Sequence, residues 1–132
     1  MNRFRARVHR VETFEGVSVV ECRMGEERLT MLGLELPEGV EAGRELELGV
    51  KGTHLMVVRS LPDDLSVCNR LPVTVERVVE GELLAGIHIR CGETPLEVLL
   101  PRRALETLLP KAGDRLFCLF QASELSVLRV LG

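Results

Sequence analysis

Tryptophan and tyrosine are absent from this sequence, and phenylalanine occurs four times in 132 residues. Its cores must therefore be built from Val, Leu and Ile, the aliphatic stock of strands. The same scarcity leaves little with which to stack bases, and Phe4 and Phe120 both fall in the inward phase of their segments. A basic surface is missing too: 17 basic against 20 acidic side chains give a net charge of −3. That excludes a general affinity for nucleic acid or an anionic membrane. No apolar run approaches the length that spans a bilayer, and no hydrophobic stretch follows the basic opening MNRFRARVHR as a signal peptide requires. The expected compartment is the cytoplasm.

Catalytic and metal-binding sets are equally missing. Cys22, Cys68, Cys91 and Cys118 are scattered with no CxxC pair. They are expected to be structural thiols, with Cys22 and Cys118 serving as small hydrophobes in alternating apolar runs. No Ser/His/Asp or Cys/His combination is evident. His9, His54 and His88 occupy unrelated contexts and read as surface histidines. His88 and Cys91 have HxxC spacing, but a strand running into a turn presents them poorly to one metal. No glycine-rich phosphate loop occurs. The expectation is a binding protein without catalytic residues, metal or organic cofactor.

What is present is a duplication. Asn2, Arg3, Val8, Arg10 and Val11 coincide with Asn69, Arg70, Val75, Arg77 and Val78 at a constant offset of 67. Arg23 and Gly25 meet Arg90 and Gly92 at that offset, as Leu29 meets Leu96. After a three-residue insertion the offset becomes 70, matching Gly43 to Gly113 and Lys51-Gly52-Thr53 to Gln121-Ala122-Ser123. The chain thus divides into copies at 1–61 and 66–132, joined by a linker at 62–65.

Each copy reads as five short strands. Phe4, Ala6 and Val8 alternate inward, as do Leu71, Val73 and Val75. The step from Val8 to Val11, repeated from Val75 to Val78, breaks the period of two and predicts a bulge at Arg10 and Arg77. The second strands carry Val20 and Cys22, or Ile87 and Ile89, and end at turns containing Gly25 or Gly92; the third carry Leu29 and Met31, or Leu96 and Val98. A helix is expected from Arg102 to Leu109, after Pro101 and before Pro110 and Gly113. Copy one has Glu35-Leu36-Pro37-Glu38-Gly39 there, a turn. A fourth strand (Leu46, Leu48, Val50; Leu116, Cys118, Phe120) and a fifth (Leu55, Val57; Leu125, Val127) are expected to complete each unit. The fold class expected is all-β: two tandem five-stranded OB-like Greek-key barrels, each with at most one short helix. Units of this size have thin cores, so packing together, exchange of strands or oligomerisation is expected.

Two recurring segments carry the candidate chemistry. One is Ser66-Val67-Cys68-Asn69-Arg70-Leu71, leading into the first strand of copy two. The other is the small polar turn Lys51-Gly52-Thr53, with its equivalent Gln121-Ala122-Ser123. Hydroxyls, a lysine and adjacent backbone N–H groups suit a tetrahedral oxyanion, which accepts hydrogen bonds and donates none. Gly and Ala beside the hydroxyl let the backbone come close. The alternative is that these are ordinary hairpin turns.

At these segments the sequence resembles the molbindin (Mop) or TOBE family. Copy two follows the pattern almost throughout: Ser66 and Asn69, the Gly92 turn, the short helix, Leu108-Leu109-Pro110-Lys111-Ala112-Gly113-Asp114 and Phe120-Gln121-Ala122-Ser123-Glu124. Copy one, with the Leu61-Pro62-Asp63-Asp64-Leu65 linker, resembles the C-terminal regulatory region of molybdate-transporter ATPases. The resemblance implies binding of molybdate or tungstate by multidentate hydrogen bonds at module or subunit interfaces, for storage, homeostasis or sensing. It implies a homo-oligomer (dimer, trimer or higher), with a transporter ATPase as a partner in trans. The implied site residues are Lys51, Gly52, Thr53, Ser66, Asn69, Gln121, Ala122 and Ser123, with Arg70, Arg102 and Arg103 as supporting charge. Cys68 stands where the family commonly has arginine, Gln121 where it has lysine, and Pro101 near a usual threonine. A mixed site is therefore expected, pairing Lys51-Gly52-Thr53 with Ser66 or Asn69. The alternatives are a degenerate TOBE-type regulatory or oligomerisation module without ligand, and a single-stranded nucleic-acid-binding OB protein.

Overall fold

The computed structural model describes all residues from Met1 to Gly132. Copy one supplies β1 (Asn2–Phe14), β2 (Val17–Met24), β3 (Glu27–Leu34), β4 (Glu45–Val50) and β5 (Met56–Val58). Copy two supplies β6 (Asn69–Glu80), β7 (Leu84–Cys91), β8 (Thr94–Pro101), the helix α1 (Leu105–Leu108), β9 (Arg115–Phe120) and β10 (Ser126–Val130). The fold is nearly all-β and OB-like, with two five-stranded sheets and one short helix.

The sheets do not follow the sequential copies. One sheet runs β10-β4-β1-β2-β3 and the other β5-β9-β6-β7-β8. The expectation that each fifth strand completes its own unit is corrected: each completes the sheet of the other copy. The cause lies in the turn before it. Lys51 is extended (φ −73°, ψ 140°), the chain makes a single 3-10 turn at Gly52–His54, and Leu55 is extended again (φ −90°, ψ 137°). Such a path cannot reverse into a hairpin beside β4, whose free edge is taken by β10. Gln121 and Leu125 bracket the 3-10 turn Ala122–Glu124 with nearly the same angles. The two compact units are accordingly residues 3–50 and 121–132 with Met1, and residues 51–120 with Asn2.

In the first unit, alternation puts Phe4, Ala6, Val8, Val20, Cys22, Leu29, Met31, Leu46 and Leu48 on the buried face. The register of β1 on β2 shifts between Val8 and Arg10, the bulge that the broken period predicts. Val8 then exchanges hydrogen bonds with the next segment, its N–H donating to Arg44 and its carbonyl accepting from Gly43, each at 2.8 Å. At the far edge, Glu47 of β4 accepts from Arg3 of β1 at 3.3 Å and from Arg129 of β10 at 2.9 Å. Both guanidiniums hold the Glu47 carboxyl below the usual carboxylate range, the Arg129 hydrogen bond most of all.

The second unit repeats this plan. Leu71, Val73, Val75, Ile87, Ile89, Leu96, Val98, Leu116, Cys118 and Phe120 are buried. The register shifts between Val75 and Arg77, and Val75 bonds Asp114 and Gly113 as Val8 bonds Arg44 and Gly43. Burial pushes the Cys118 thiol up to about 12, and in the first unit Cys22 up to about 11. All four cysteines are free thiols, Cys68 alone being exposed. The expected helix is split into a 3-10 turn at Arg102–Ala104 and the single turn of α1. It stops at Leu109, whose φ of 47° is left-handed. Arg59 closes that end: its Nη2 donates to the carbonyls of Leu108 and Leu109 at 2.7 and 2.9 Å and to Asp114 at 3.2 Å.

Candidate functional site

In the second unit the Lys51-Gly52-Thr53 turn lies along β8, an edge strand. An exposed edge carries unpaired N–H and C=O groups that must find partners. At Glu97 both are found in one side chain. The Glu97 N–H donates to Asn2 Oδ1 at 2.7 Å, and Asn2 Nδ2 donates to the Glu97 carbonyl at 3.0 Å. Gly52 settles on that same carbonyl, so closely that a Cβ on residue 52 would lie 2.7 Å from it and 3.2 Å from Leu99 Cγ. Glycine is required by close approach and not by a left-handed angle.

Gly52 is buried by this contact, while Lys51 and Thr53 on either side are exposed. The turn's own bonds run from His54 N–H to the Lys51 carbonyl (2.9 Å) and from Leu55 N–H to the Gly52 carbonyl (3.3 Å). The N–H groups of Gly52 and Thr53 precede them and take no part in the turn's ladder. An ammonium, a hydroxyl and two peptide N–H groups thus sit on a fixed base. Donors of this kind suit an acceptor-only anion. Behind the base, Glu97 reaches His88, with Oε2 3.0 Å from Nε2.

The other expected site residues fall in three places. Ser66 is exposed and Asn69 fully buried at the start of β6. Arg70 beside them has its guanidinium turned back on the chain that leads into β6: Nε donates to the Val67 carbonyl at 2.7 Å and Nη2 to that of Leu65. Arg102 and Arg103 are exposed just past β8, where the Arg102 N–H donates to the Leu83 carbonyl at 2.8 Å. Gln121, Ala122 and Ser123 belong to the first unit, where the Ala122–Glu124 turn lies along β3. The residue that sequence reasoning missed is Asn2. The signal was available, because the offset of 67 aligns Asn2 with the candidate Asn69.

Fold and turn together define an OB-like double module with its last strands exchanged and a donor-rich turn seated on a sheet edge. No family model matches the chain. Its fold is shared with a solved structure of the cytoplasmic molybdate-binding protein ModG with molybdate bound. The TM-score is 0.88 at 20% identity, over 96% of this chain and 94% of that one. In sequence it is similar to the molybdenum import ATP-binding protein ModC of Pasteurella multocida (strain Pm70), at 27% identity over 101 residues. That match takes in 72% of this chain and 29% of ModC, so the chain spans less than a third of that relative.

Proposed function

We propose that this chain is a molybdate- or tungstate-binding protein of the molbindin/TOBE kind, built as tandem OB-like Greek-key barrels. Its sequence copies at 1–61 and 66–132 are joined by the 62–65 linker. It holds the oxyanion by several hydrogen bonds without turning it over, in cytoplasmic storage, homeostasis or sensing. It works as a homo-oligomer, with a transporter ATPase as a partner in trans. The observation that carries this reading is the Lys51-Gly52-Thr53 turn, whose glycine is pinned to the Glu97 peptide that Asn2 saturates. The fold shared with ModG and the similarity to ModC support the choice of oxyanion. Ser66, Asn69, Gln121, Ala122 and Ser123 remain the candidate ligands of the second copy.

Titration calorimetry with molybdate, tungstate and sulfate tests this. Molybdate and tungstate are expected to give saturable heats. Lys51→Ala should weaken them about ten- to a hundredfold, the worth of one charge-assisted hydrogen bond of about 1.5–3 kcal/mol. Absence of heat and of added mass in native spectra up to millimolar ligand rejects the reading.

A second reading has its own observation. Arg70 is committed to the carbonyls of Leu65 and Val67, and Cys68 and Gln121 carry no positive charge. A module that had kept the fold for assembly alone would look this way at copy two. It would oligomerise identically with and without molybdate in sizing chromatography.

A further inference from the structure

The second sheet has β5 at one end and β8 at the other. After β8 the chain runs through the 3-10 turn at Arg102–Ala104 and then α1. Ala104, Thr107 and Leu108 are spaced to share one helical face. Together with Leu100 of β8 and Leu55, Met56 and Val57 at β5, they line a cleft of about 490 Å³. Small-molecule pockets occupy roughly 300–1,000 Å³ and are mostly apolar, with a few polar groups that fix orientation. Leu55 is buried here, while Met56 stands 55% exposed beside it.

Equivalent positions of the first unit differ. The offset of 70 puts Ser126 in place of Met56, and the offset of 67 puts Gly33 in place of Leu100. Leu36 packs on Gly33, where a Cβ would lie 2.6 Å from its Cδ2, and no helix follows β3. The cleft thus belongs to copy two and is not a by-product of the shared barrel plan. Its polar members are Arg59 and Thr107. The bonds of Arg59 to Leu108, Leu109 and Asp114 all leave from Nη2. A guanidinium donates from Nε and Nη1 as well. Asp114 also accepts from the Lys111 N–H at 2.9 Å. That bond above all, with Arg59 adding to it, holds the Asp114 carboxyl below the usual carboxylate range. One carboxylate therefore answers the charges of both Arg59 and Lys111, which leaves the rim of the cleft positive.

We propose that this cleft binds an apolar carboxylate. Its aliphatic chain lies along Leu55, Leu100 and Leu108, and its carboxylate takes the Nε and Nη1 side of Arg59, with the Thr107 hydroxyl as a second donor. Guanidinium and carboxylate make a charge-assisted pair, among the strongest of hydrogen-bonded contacts. The bonds from Nη2 hold the guanidinium in place before any ligand arrives, so little ordering is left to the binding step. Lys51, Gly52 and Thr53 do not line this cleft, and the inference does not rest on the oxyanion reading.

The test uses the full chain with anilinonaphthalenesulfonate, an apolar sulfonate that fluoresces on leaving water. Without Trp or Tyr the chain adds little background of its own. The folded wild type is expected to enhance the dye. Decanoate, kept below its micellar range, should displace it at about a tenfold lower concentration than decanol, as one charge-assisted bond warrants. Arg59→Gln should erase that preference. Because Arg59 also holds the end of α1, a second pair of variants at the exposed Ala104 keeps the fold out of question. Ala104→Glu should weaken decanoate several-fold and Ala104→Lys should not. The proposal is overturned by a folded wild type that leaves the dye dark, by a dye signal that decanoate leaves in place, or by equal displacement with decanoate and decanol. Ala104→Glu binding decanoate as the wild type does overturns it too. Enhancement that grows on dilution would mean that a second copy covers the cleft, and displacement by molybdate that the cleft is an oxyanion site; either rejects the proposal. Molybdate that binds in calorimetry and leaves the dye in place supports both readings, and either can fail without the other.

Discussion

A Cβ added to Gly52 would lie 2.7 Å from the carbonyl oxygen of Glu97, and that oxygen is held from the other side by Asn2. Backbone in a paired strand cannot step aside as the end of a side chain can. Gly49 makes the contrast, since a Cβ there would meet Leu128 Cδ1 and Met1 Sδ, both at 2.8 Å and both at flexible tips. Gly52→Ala is therefore expected to cost about 1–3 kcal/mol, the range for overpacking a filled site, whereas Gly49→Ala should cost less. Urea denaturation of the two variants measures this, and equal midpoints would remove the argument for a pinned turn. The equivalent turn already has Ala122, which is half-buried. A methyl group is accommodated there, so the two turns are not interchangeable as ligand platforms. Glycine in place of alanine is visible in the sequence, but the carbonyl that makes it necessary is 45 residues away along the chain, between Gly52 and Glu97.

At the scale of elements, β10 is held to β4 by its ladder and by one ionic contact, with Glu47 between Arg3 and Arg129. The two guanidiniums lower the folded-state pKa of Glu47, so it binds protons more weakly folded than unfolded. Its contribution is present above the ordinary carboxylate pKa and is lost as the pH falls through the lowered value. Hydrogen exchange should show the β10 amides opening faster in Glu47→Gln than in the wild type near neutral pH. The difference should shrink once acid has protonated Glu47. A pH-independent difference would mean the residue acts through packing alone. The strands themselves were legible in the sequence, because period-two burial and the Val8/Val11 and Val75/Val78 steps are local signals. The helix was half legible. Pro101 fixed its start, but only Leu105 finds apolar cover, too little to hold more than one α-turn. The strand partners of β5 and β10 were not legible, since both copies offer nearly the same edge to the same kind of strand.

For the whole molecule, exchange makes each copy's sheet depend on the other copy's last strand. Residues 1–61 contain β1 to β4 of one sheet but lack β10, and their β5 has no β9 to join. Residues 66–132 contain β6 to β9 and lack β5, leaving β10 with no β4. A domain of about 60 residues is marginal even when its sheet is complete. Without the fifth strand it also leaves Leu46 and Leu48, or Cys118 and Leu119, on an unpaired edge. Neither half, produced alone, should form a folded monomer, and mixing residues 1–61 with residues 62–132 should restore the sheets as a one-to-one pair. Far-ultraviolet circular dichroism and sizing at falling concentration follow both outcomes. The telling case is dilution. If the exchange is what completes each sheet, the strand signal and the paired mass must disappear together, because no intermediate has a closed edge. A half that kept its full strand signal at the mass of a single fragment would mean the fifth strand can fold back onto its own copy. The exchange would then be one of two arrangements open to this sequence.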